Sequence, residues 1–470
     1  MLPARAQLQF VLLAIALLAA AAAPGAERTV EFQVKPGEPW QPGATRVLED
    51  LAGFRAASVP LTPYGGRSDR RVKATGFFRV DKVGDRWWLV DPEGGLFLHT
   101  GLTSVAPKSK HGAKEAYARL YGSDARWAEA AAALLRGSGF NGVGAFSAPA
   151  LLRATTNPPA YTVTLRLAAD FGRRLGITHQ QPGHTGYEGD CLPALHPDFP
   201  AFCAEACRGL GTNAADPWLV GYFSDNELPG EPRMLDTMLA LDEARPALAP
   251  MRRAAWDWWW ARRGAGAAPG DITAADRAAF LGHVFDTYLR VTTAAIRRAD
   301  PHHLLFGPRF HGPLRAQRAV WEAAGRHLDA IAMNYYSTWT PRASDLANWA
   351  AWSGRPCLIT EFYAKGADTP FPNRGGAGYI VRTQADRGAF YQNFTLALLE
   401  SRTCVGWHWL RYIDNDPDDP SLDPSNRDSN KGVVTLRYEP YPALLARMRE
   451  LNTNVHALVD FLDKQRGRAD

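Results

Sequence analysis

The feature that most constrains this chain is a rhythm. Eight times an apolar, β-prone run ends in polar residues, over 96–101, 139–146, 161–168, 218–227, 303–311, 328–336, 356–363 and 403–412. Stretches rich in Ala, Leu and Arg lie between most of these runs, for example 125–136, 274–298, 313–325 and 383–401. Continuous apolar strands are buried on both faces, and strands that alternate with helices pair in parallel. Eight such repeats predict a closed (β/α)₈ TIM barrel. No Gly-x-Gly-x-x-Gly follows the first strand, which weighs against a dinucleotide-binding sheet. One further helix, 441–463, is expected outside the barrel.

The chain before the barrel reads differently. Residues 77–90 form a hairpin pattern, with β-rich runs around Gly84 and a turn at Asp91-Pro92-Glu93-Gly94-Gly95. Residues 27–75 are polar, contain Pro and Gly, and read as a short β-rich N-terminal arm. Arg5, an apolar run over 10–23 and small residues at Ala21-Ala22-Ala23 and Ala23-Pro24-Gly25-Ala26 have the layout of a secretory signal. The run is too short for a comfortable membrane span, and no Cys follows it that could carry a lipid. The expected organisation is therefore a signal peptide over 1–26, an arm over 27–75 and a catalytic barrel over 76–470. The mature protein is expected to be secreted or periplasmic, with no membrane attachment after signal cleavage.

Charge narrows the partners. The net charge is +5, but the basic residues are mostly scattered Arg and form no block of nucleic-acid type. Of the 15 Trp, most are expected in the core, although indole faces also suit stacking on sugars. Cys191 lies in one loop-like region with Cys203 and Cys207, where an oxidising compartment permits pairing with either, and Cys357 and Cys404 are expected to be free core thiols. Cys203-x-x-x-Cys207 lacks the second ligand pair of a zinc site. No metal or cofactor is expected. Three long loops, 169–200, 228–273 with its Trp256-Asp257-Trp258-Trp259-Trp260 run, and 413–432, are expected to shape a substrate cleft.

Chemistry in such a barrel is done at the C-terminal strand ends. The fourth strand ends in Asn226-Glu227 and the seventh in Thr360-Glu361. A glutamate ending a buried strand needs a partner or a function. Two of them, facing each other across the barrel mouth, supply what glycoside hydrolysis needs: an acid for the leaving oxygen and a carboxylate on the sugar's other side. Asn334-Tyr335-Tyr336 ends the sixth strand, and a Tyr there is placed to hydrogen-bond Glu361. Alternation alone leaves open which Tyr points inward; Tyr336 is the candidate. Trp409 is a candidate aromatic floor for the sugar. Arg309 and His311 end the fifth strand and are candidate donors to hydroxyls or a carboxylate. His99 and His408 are candidate contacts, and for His99, His311 and His408 alike a hydrogen-bonded scaffold role is the alternative.

At this level of detail the chain resembles clan A of the retaining glycoside hydrolases. The segments Thr360-Glu361-Phe362-Tyr363-Ala364-Lys365-Gly366, Thr383-Gln384-Ala385-Asp386-Arg387-Gly388, Phe390-Tyr391-Gln392-Asn393-Phe394-Thr395 and Cys404-Val405-Gly406-Trp407-His408-Trp409 are similar to glycoside hydrolase family 50, the β-agarases. Arg411-Tyr412-Ile413-Asp414-Asn415-Asp416-Pro417 continues the likeness. The resemblance implies Glu227 as acid/base, Glu361 as nucleophile, retention of configuration, and a β-galactosidic bond of a red-algal galactan as substrate. Retention calls for carboxyls about 5–5.5 Å apart. Asn226 is expected to hydrogen-bond the sugar 2-hydroxyl. Longer members of the family carry a carbohydrate-binding-like domain before the barrel; here a short arm stands there. Two other readings stay open: a clan A enzyme for another β-galactoside or β-glucan, and a non-catalytic carbohydrate-binding barrel. The expected partner in each is a polysaccharide or oligosaccharide.

Overall fold

The computed structural model describes residues 28–466; the expected signal segment lies outside them. Eight parallel strands form the central sheet: β1 His99–Leu102, β2 Gly142–Val143, β3 Ala160–Thr164, β4 Leu219–Phe223, β5 Leu304–Gly307, β6 Ile331–Asn334, β7 Cys357–Glu361 and β8 Cys404–Trp409. Their hydrogen-bonded order is β5-β4-β3-β2-β1-β8-β7-β6. The seam between β5 and β6 is bridged just past β5, where Phe310 pairs with Met333. There Phe310 N–H donates to the Ala332 carbonyl at 2.8 Å and Asn334 N–H to the Phe310 carbonyl at 2.7 Å. This is a (β/α)₈ barrel.

Strand alternation divides the core in two. Val220, Ala332, Leu358 and Val405 belong to an inner cluster with Phe97, Phe223 and Phe306. Their neighbours Leu219, Ile331, Met333, Cys357, Ile359 and Cys404 belong to the larger layer between strands and helices. The period of two follows from the pleat. In β8 the period breaks. Cys357 pairs with Cys404, but Ile359 pairs with Trp407, so β8 carries one extra residue. Gly406 lies in this bulge, and a Cβ there would sit 2.3 Å from the His99 carbonyl oxygen. The extra residue moves His408 inward and turns Trp407 and Trp409 into the outer layer.

The hairpin Arg79–Val83 and Arg86–Val90 packs with Gly95–Phe97 and Arg67–Arg71 in a four-stranded sheet. Phe78, Leu89 and Phe97 extend the inner cluster from this side. The run read as one strand over 96–101 thus serves two sheets. In the arm, Thr29–Gln33 pairs with Gln41–Ala44 and with Tyr379–Val381, which in turn pairs with Ala364–Gly366 beyond β7.

Several local expectations are corrected. The final helix is two, Pro442–Thr453 and Val455–Arg466, separated at Asn454. The stretch 313–325 is a 3₁₀ turn, Gly312–Ala316, followed by a helix, Arg318–His327. The expected loop 228–273 contains the helices Met234–Leu239 and Ala249–Arg263. Its Trp259 is buried, and none of its residues lines the cleft described below. All five cysteines are buried and free, so neither pairing open to Cys191 is formed. They act as small apolar core residues: Cys191 packs at Thr237, with Sγ 3.4 Å from its hydroxyl, and Cys203 and Cys207 lie one helical turn apart. Among the described residues no helix is long and apolar enough to cross a membrane.

Candidate active site

A cleft of about 1050 Å³ opens at the C-terminal ends of the strands, and Asn226, Glu227, His311, Tyr336 and Glu361 line it. β4 delivers Glu227 through an anchor just before it. Asp225 is fully buried, and its carboxylate accepts from Ala168 N–H at 2.9 Å, Ala169 N–H at 3.2 Å and the Tyr288 hydroxyl at 2.6 Å. It therefore binds the first turn of the helix Leu167–Leu175, which follows β3, not the segment after β4. Burial pushes the Asp225 carboxyl up to about 7 despite these donors. Glu227 takes a left-handed backbone, φ +51°, with its N–H donating to the Pro308 carbonyl at 3.1 Å. That conformation is uncommon for a residue with a Cβ and clusters at functional sites.

Each glutamate has its own hydrogen-bonding shell. Glu227 Oε1 accepts from Asn334 Nδ2 at 2.7 Å, and Oε2 lies 3.8 Å from His184 Nδ1. Glu361 is the last residue of β7. Its Oε1 accepts from Arg309 Nη2, and its Oε2 accepts from the Tyr336 hydroxyl at 2.5 Å. Arg309 is fully buried, with its guanidinium 5.1 Å from the Phe146 ring and 5.6 Å from the Phe223 ring. It also donates to Asn226 Oδ1 at 2.7 Å and to the Thr360 carbonyl at 3.2 Å. Thr360 Oγ1 donates to Asn334 Oδ1 at 2.7 Å. Asn226, Arg309, Thr360 and Asn334 thus join the two carboxylates through one polar network. Both oxygens of Glu361 are fixed by donors, while Glu227 keeps one oxygen toward the cleft.

The structure separates the paired candidates. Tyr336 faces the cleft, whereas the Tyr335 hydroxyl donates to Asp345 at 2.6 Å on the outside. His311 lines the cleft against His184, ring centroids 5.0 Å apart, and burial with the nearby His184 lowers its pKa to about 4. Asn334 and Arg309 lie beneath the cleft and are bonded to the glutamates, Asn334 to Glu227 and Arg309 to Glu361. His99 and His408 do not line it. They are fully buried inside the barrel, His408 Nε2 3.0 Å from His99 Nδ1. Burial holds His99 down to about 3 and His408 well below the ordinary histidine range, so both are neutral scaffold groups. Trp409 is not the floor of the cleft. It is fully buried in the outer layer, 5.6 Å from the Phe362 ring, with Nε1 donating to the Lys431 carbonyl at 3.1 Å.

Other cleft residues carried no legible signal. His184 comes from a hairpin, Thr178–Gln181 with His184–Tyr187, inside a stretch read as loop. Tyr363 and Arg411 lie in the family-like segments without an assigned role, and Lys431 is the next-to-last residue of the loop 413–432; all three line the wall. The loop before the strand Tyr379–Val381 adds Gly375, Gly376 and Ala377. His184, Glu227 and His311 bring three possible metal-ligand atoms within 4.8 Å of one another, and are the residues here that could hold a cation.

No family model matches the chain. The chain is 23% identical to Beta-agarase B of Vibrio sp. (strain JT0107) over an alignment of 487 positions, covering 84% of this chain and 50% of that protein. It is 26% identical to Beta-agarase A of the same organism over 172 residues, 36% of this chain and 17% of that protein. The chain thus spans half the length of the first relative and less of the second. Among solved structures, BpGH50 superposes with a TM-score of 0.81 at 29% identity, covering 93% of this chain and 96% of that one. An exo-beta-agarase structure superposes with a TM-score of 0.70 at 19% identity, covering 87% and 69%, a likeness of fold.

Proposed function

From the premise that the chain belongs to glycoside hydrolase family 50, we propose that it is a retaining β-glycoside hydrolase of β-agarase type. Its substrate is the β-1,4-galactosidic bond of agarose or of neoagaro-oligosaccharides. One observation carries this reading: Glu227 and Glu361 reach one cleft from β4 and β7 and are linked by the network through Asn226, Arg309, Thr360 and Asn334.

The chemistry proceeds in two displacements. Glu361, oriented by Arg309 and Tyr336, attacks the anomeric carbon as the glycosidic C–O bond breaks. Glu227 gives its proton to the departing oxygen. A water then enters, loses a proton to Glu227 and attacks the anomeric carbon, which frees Glu361. The Oδ1 of Asn226 is occupied by Arg309, so its Nδ2 is the atom left to donate to the sugar 2-hydroxyl. His311 and Tyr336, which also line the cleft, are further polar contacts for the sugar. We read residues 1–26 as a signal peptide, 27–75 as an arm and 76–470 as the catalytic barrel, with export from the cytoplasm as the consequence.

The test is hydrolysis of neoagaro-oligosaccharides by the purified mature protein, followed by NMR of the first anomer released. The expected product retains the β configuration, Glu361→Gln abolishes turnover with the fold intact, and azide rescues Glu227→Ala to a β-glycosyl azide. An inverted first product, or turnover by Glu361→Gln near the normal rate, removes the mechanism. A second reading, a β-glycosidase for another galactan, is favoured by the basic wall of the cleft, because agarose carries no charge for that wall to meet.

A further inference from the structure

Three of the six buried Lys and Arg side chains among the described residues pair with a carboxylate. Arg67, 3% exposed, pairs with Asp69 at 2.7 Å and Asp460 at 2.8 Å. Arg86, 2% exposed, pairs with Asp463 at 2.7 Å. Arg309 pairs with Glu361. The pattern follows from the cost of removing a charge from water without a partner.

The cleft wall departs from it. Lys431, 3% exposed, donates to the neutral Asn426 Oδ1 and lies 4.8 Å from the centroid of the Tyr363 ring. Arg411 donates from Nη1 to Asn415 Oδ1 at 2.9 Å, and its buried Nε has no acceptor. Neither forms an ion pair. The carboxylates that attract them from further away are held by other groups: Asp414 by Asn430, Gly432 and Tyr441, Asp419 by Lys108 and Ser421, Asp423 by the backbone of Gly183 and Ser425, and Glu361 by Arg309 and Tyr336. A third cation, Lys365, stands behind them, donating to the carbonyls of Asn373 at 3.1 Å and Gly375 at 2.9 Å. Arg387 also lacks a carboxylate, but it is enclosed and bonded to Ala364, Gln384 and Gly432. Lys431 and Arg411 differ in opening onto the cleft.

We infer that Lys431 and Arg411 form a subsite for an anionic substituent, a sulfate ester or a carboxylate, on the sugar held in the cleft. The inference rests on the glycosidase reading and sharpens its substrate class to a charged galactan. A bound oxyanion gives Arg411 Nε its acceptor and gives Lys431 a charged partner. Burial, Arg411 and Lys365 together push the Lys431 ammonium down to about 7, against the opposing pull of Glu361 and Asp423. The Tyr363 ring lies against the Lys431 ammonium, 4.8 Å from its centroid. The wall therefore loses positive charge as pH rises past neutrality.

The experiment measures binding by calorimetry with the Glu361→Gln protein, so that no ligand is consumed. The ligands are a neutral neoagaro-oligosaccharide, a sulfated oligosaccharide from porphyran, and a uronate-bearing β-linked oligosaccharide of equal length. At about pH 6 the matching anionic ligand binds about tenfold or more tighter than the neutral one, the scale of a charge-assisted hydrogen bond. The preference shrinks at about pH 8.5 and disappears when Lys431→Met is added. Preference for the sulfated ligand assigns a sulfate site; preference for the uronate assigns a carboxylate site. Equal binding of all three, or a preference that survives both Lys431→Met and Arg411→Gln, overturns the subsite. Thermal melting checks that each variant folds, and Arg411→Gln carries the comparison if Lys431→Met does not. Turnover of the neutral oligosaccharide by the unaltered protein tests the glycosidase reading separately.

Discussion

The side-chain nitrogen of Asn334 donates to Oε1 of Glu227 at 2.7 Å. Its oxygen accepts from Thr360, the residue before Glu361. A buried amide on β6 is thereby fitted between the ends of β4 and β7, with each of its polar ends committed. Asn334→Ala removes both partners at once and leaves the Thr360 hydroxyl buried without an acceptor. The expected cost is about 1–3 kcal/mol of stability, the penalty of an unsatisfied buried polar group. The kcat is expected to fall about 10- to 100-fold, because Glu227 loses its orientation. Denaturant unfolding and steady-state kinetics measure the two effects; an unchanged kcat would mean that Glu227 is positioned without Asn334.

Arg309→Lys is expected to be more damaging than its charge conservation suggests. One planar guanidinium serves Asn226, Thr360 and Glu361 while lying beside two phenylalanine rings. An ammonium cannot span these acceptors. Loss of about 3–5 kcal/mol is expected, the range for breaking a buried ion pair. Loss of nearly all turnover is expected with it. A lysine variant with normal melting temperature and kcat would show that the network is dispensable.

Trp409→Phe separates packing from sugar contact. Because the ring lies in the outer layer, the substitution is expected to lower stability by about 1–3 kcal/mol through lost packing and the lost bond to the Lys431 carbonyl. The KM for a neutral oligosaccharide should hold within about threefold, far less than the loss of a stacked aromatic contact. A tenfold rise in KM with stability unchanged would return Trp409 to the cleft.

Stability should fall on acidification above the range where carboxylates titrate. His99 is held down to about 3, His311 and His456 to about 4, and His408 well below its ordinary range, all chiefly by burial. Such histidines are neutral in the fold but take up a proton in the unfolded chain below about pH 6.5. The unfolded state then binds more protons, so each group removes up to about 1.4 kcal/mol per pH unit as pH falls from there. Asp225, raised to about 7, works in the opposite sense, since it keeps a proton in the fold that the unfolded chain releases above about pH 4. Four histidines outweigh it. Denaturant unfolding at several pH values between 7 and 5 should show the loss; a flat profile would contradict the buried neutral pair of His99 and His408.

Five free buried thiols make a chemical prediction. The denatured protein should react with five equivalents of a thiol reagent without prior reduction, and the native protein with almost none. Reductant should leave the melting temperature unchanged. Three titratable thiols would mean that a disulfide forms among Cys191, Cys203 and Cys207.

Local pattern was enough to find the barrel strands. An apolar run closed by polar residues is a property of one strand, and all eight runs overlap their barrel strand, six containing it whole and two missing one end residue, Leu102 of β1 and Ala160 of β3. The strands are shorter than the runs because the polar tips bend away from the sheet into loops. The same pattern brought Glu227, Glu361, Asn226, Arg309, Asn334, Tyr336 and His311 to the strand ends. The rhythm and the residue types at each tip are therefore written in the chain itself. Which side chain faces the cleft was settled by long-range packing. One extra residue at Gly406 reverses the phase of β8, so that His408 turns inward and Trp409 outward; the His99 backbone that closes on Gly406 comes from β1, at the other end of the barrel sequence. Asp225 caps a helix that precedes it, a contact no window around β4 contains. His184 and Lys431 reach the wall from loops whose course depends on what they pack against. Pleat and helix periodicity act over a few residues and can be read along the chain; phase shifts, caps and loop paths depend on partners distant in sequence, and only the closed barrel brings those partners together.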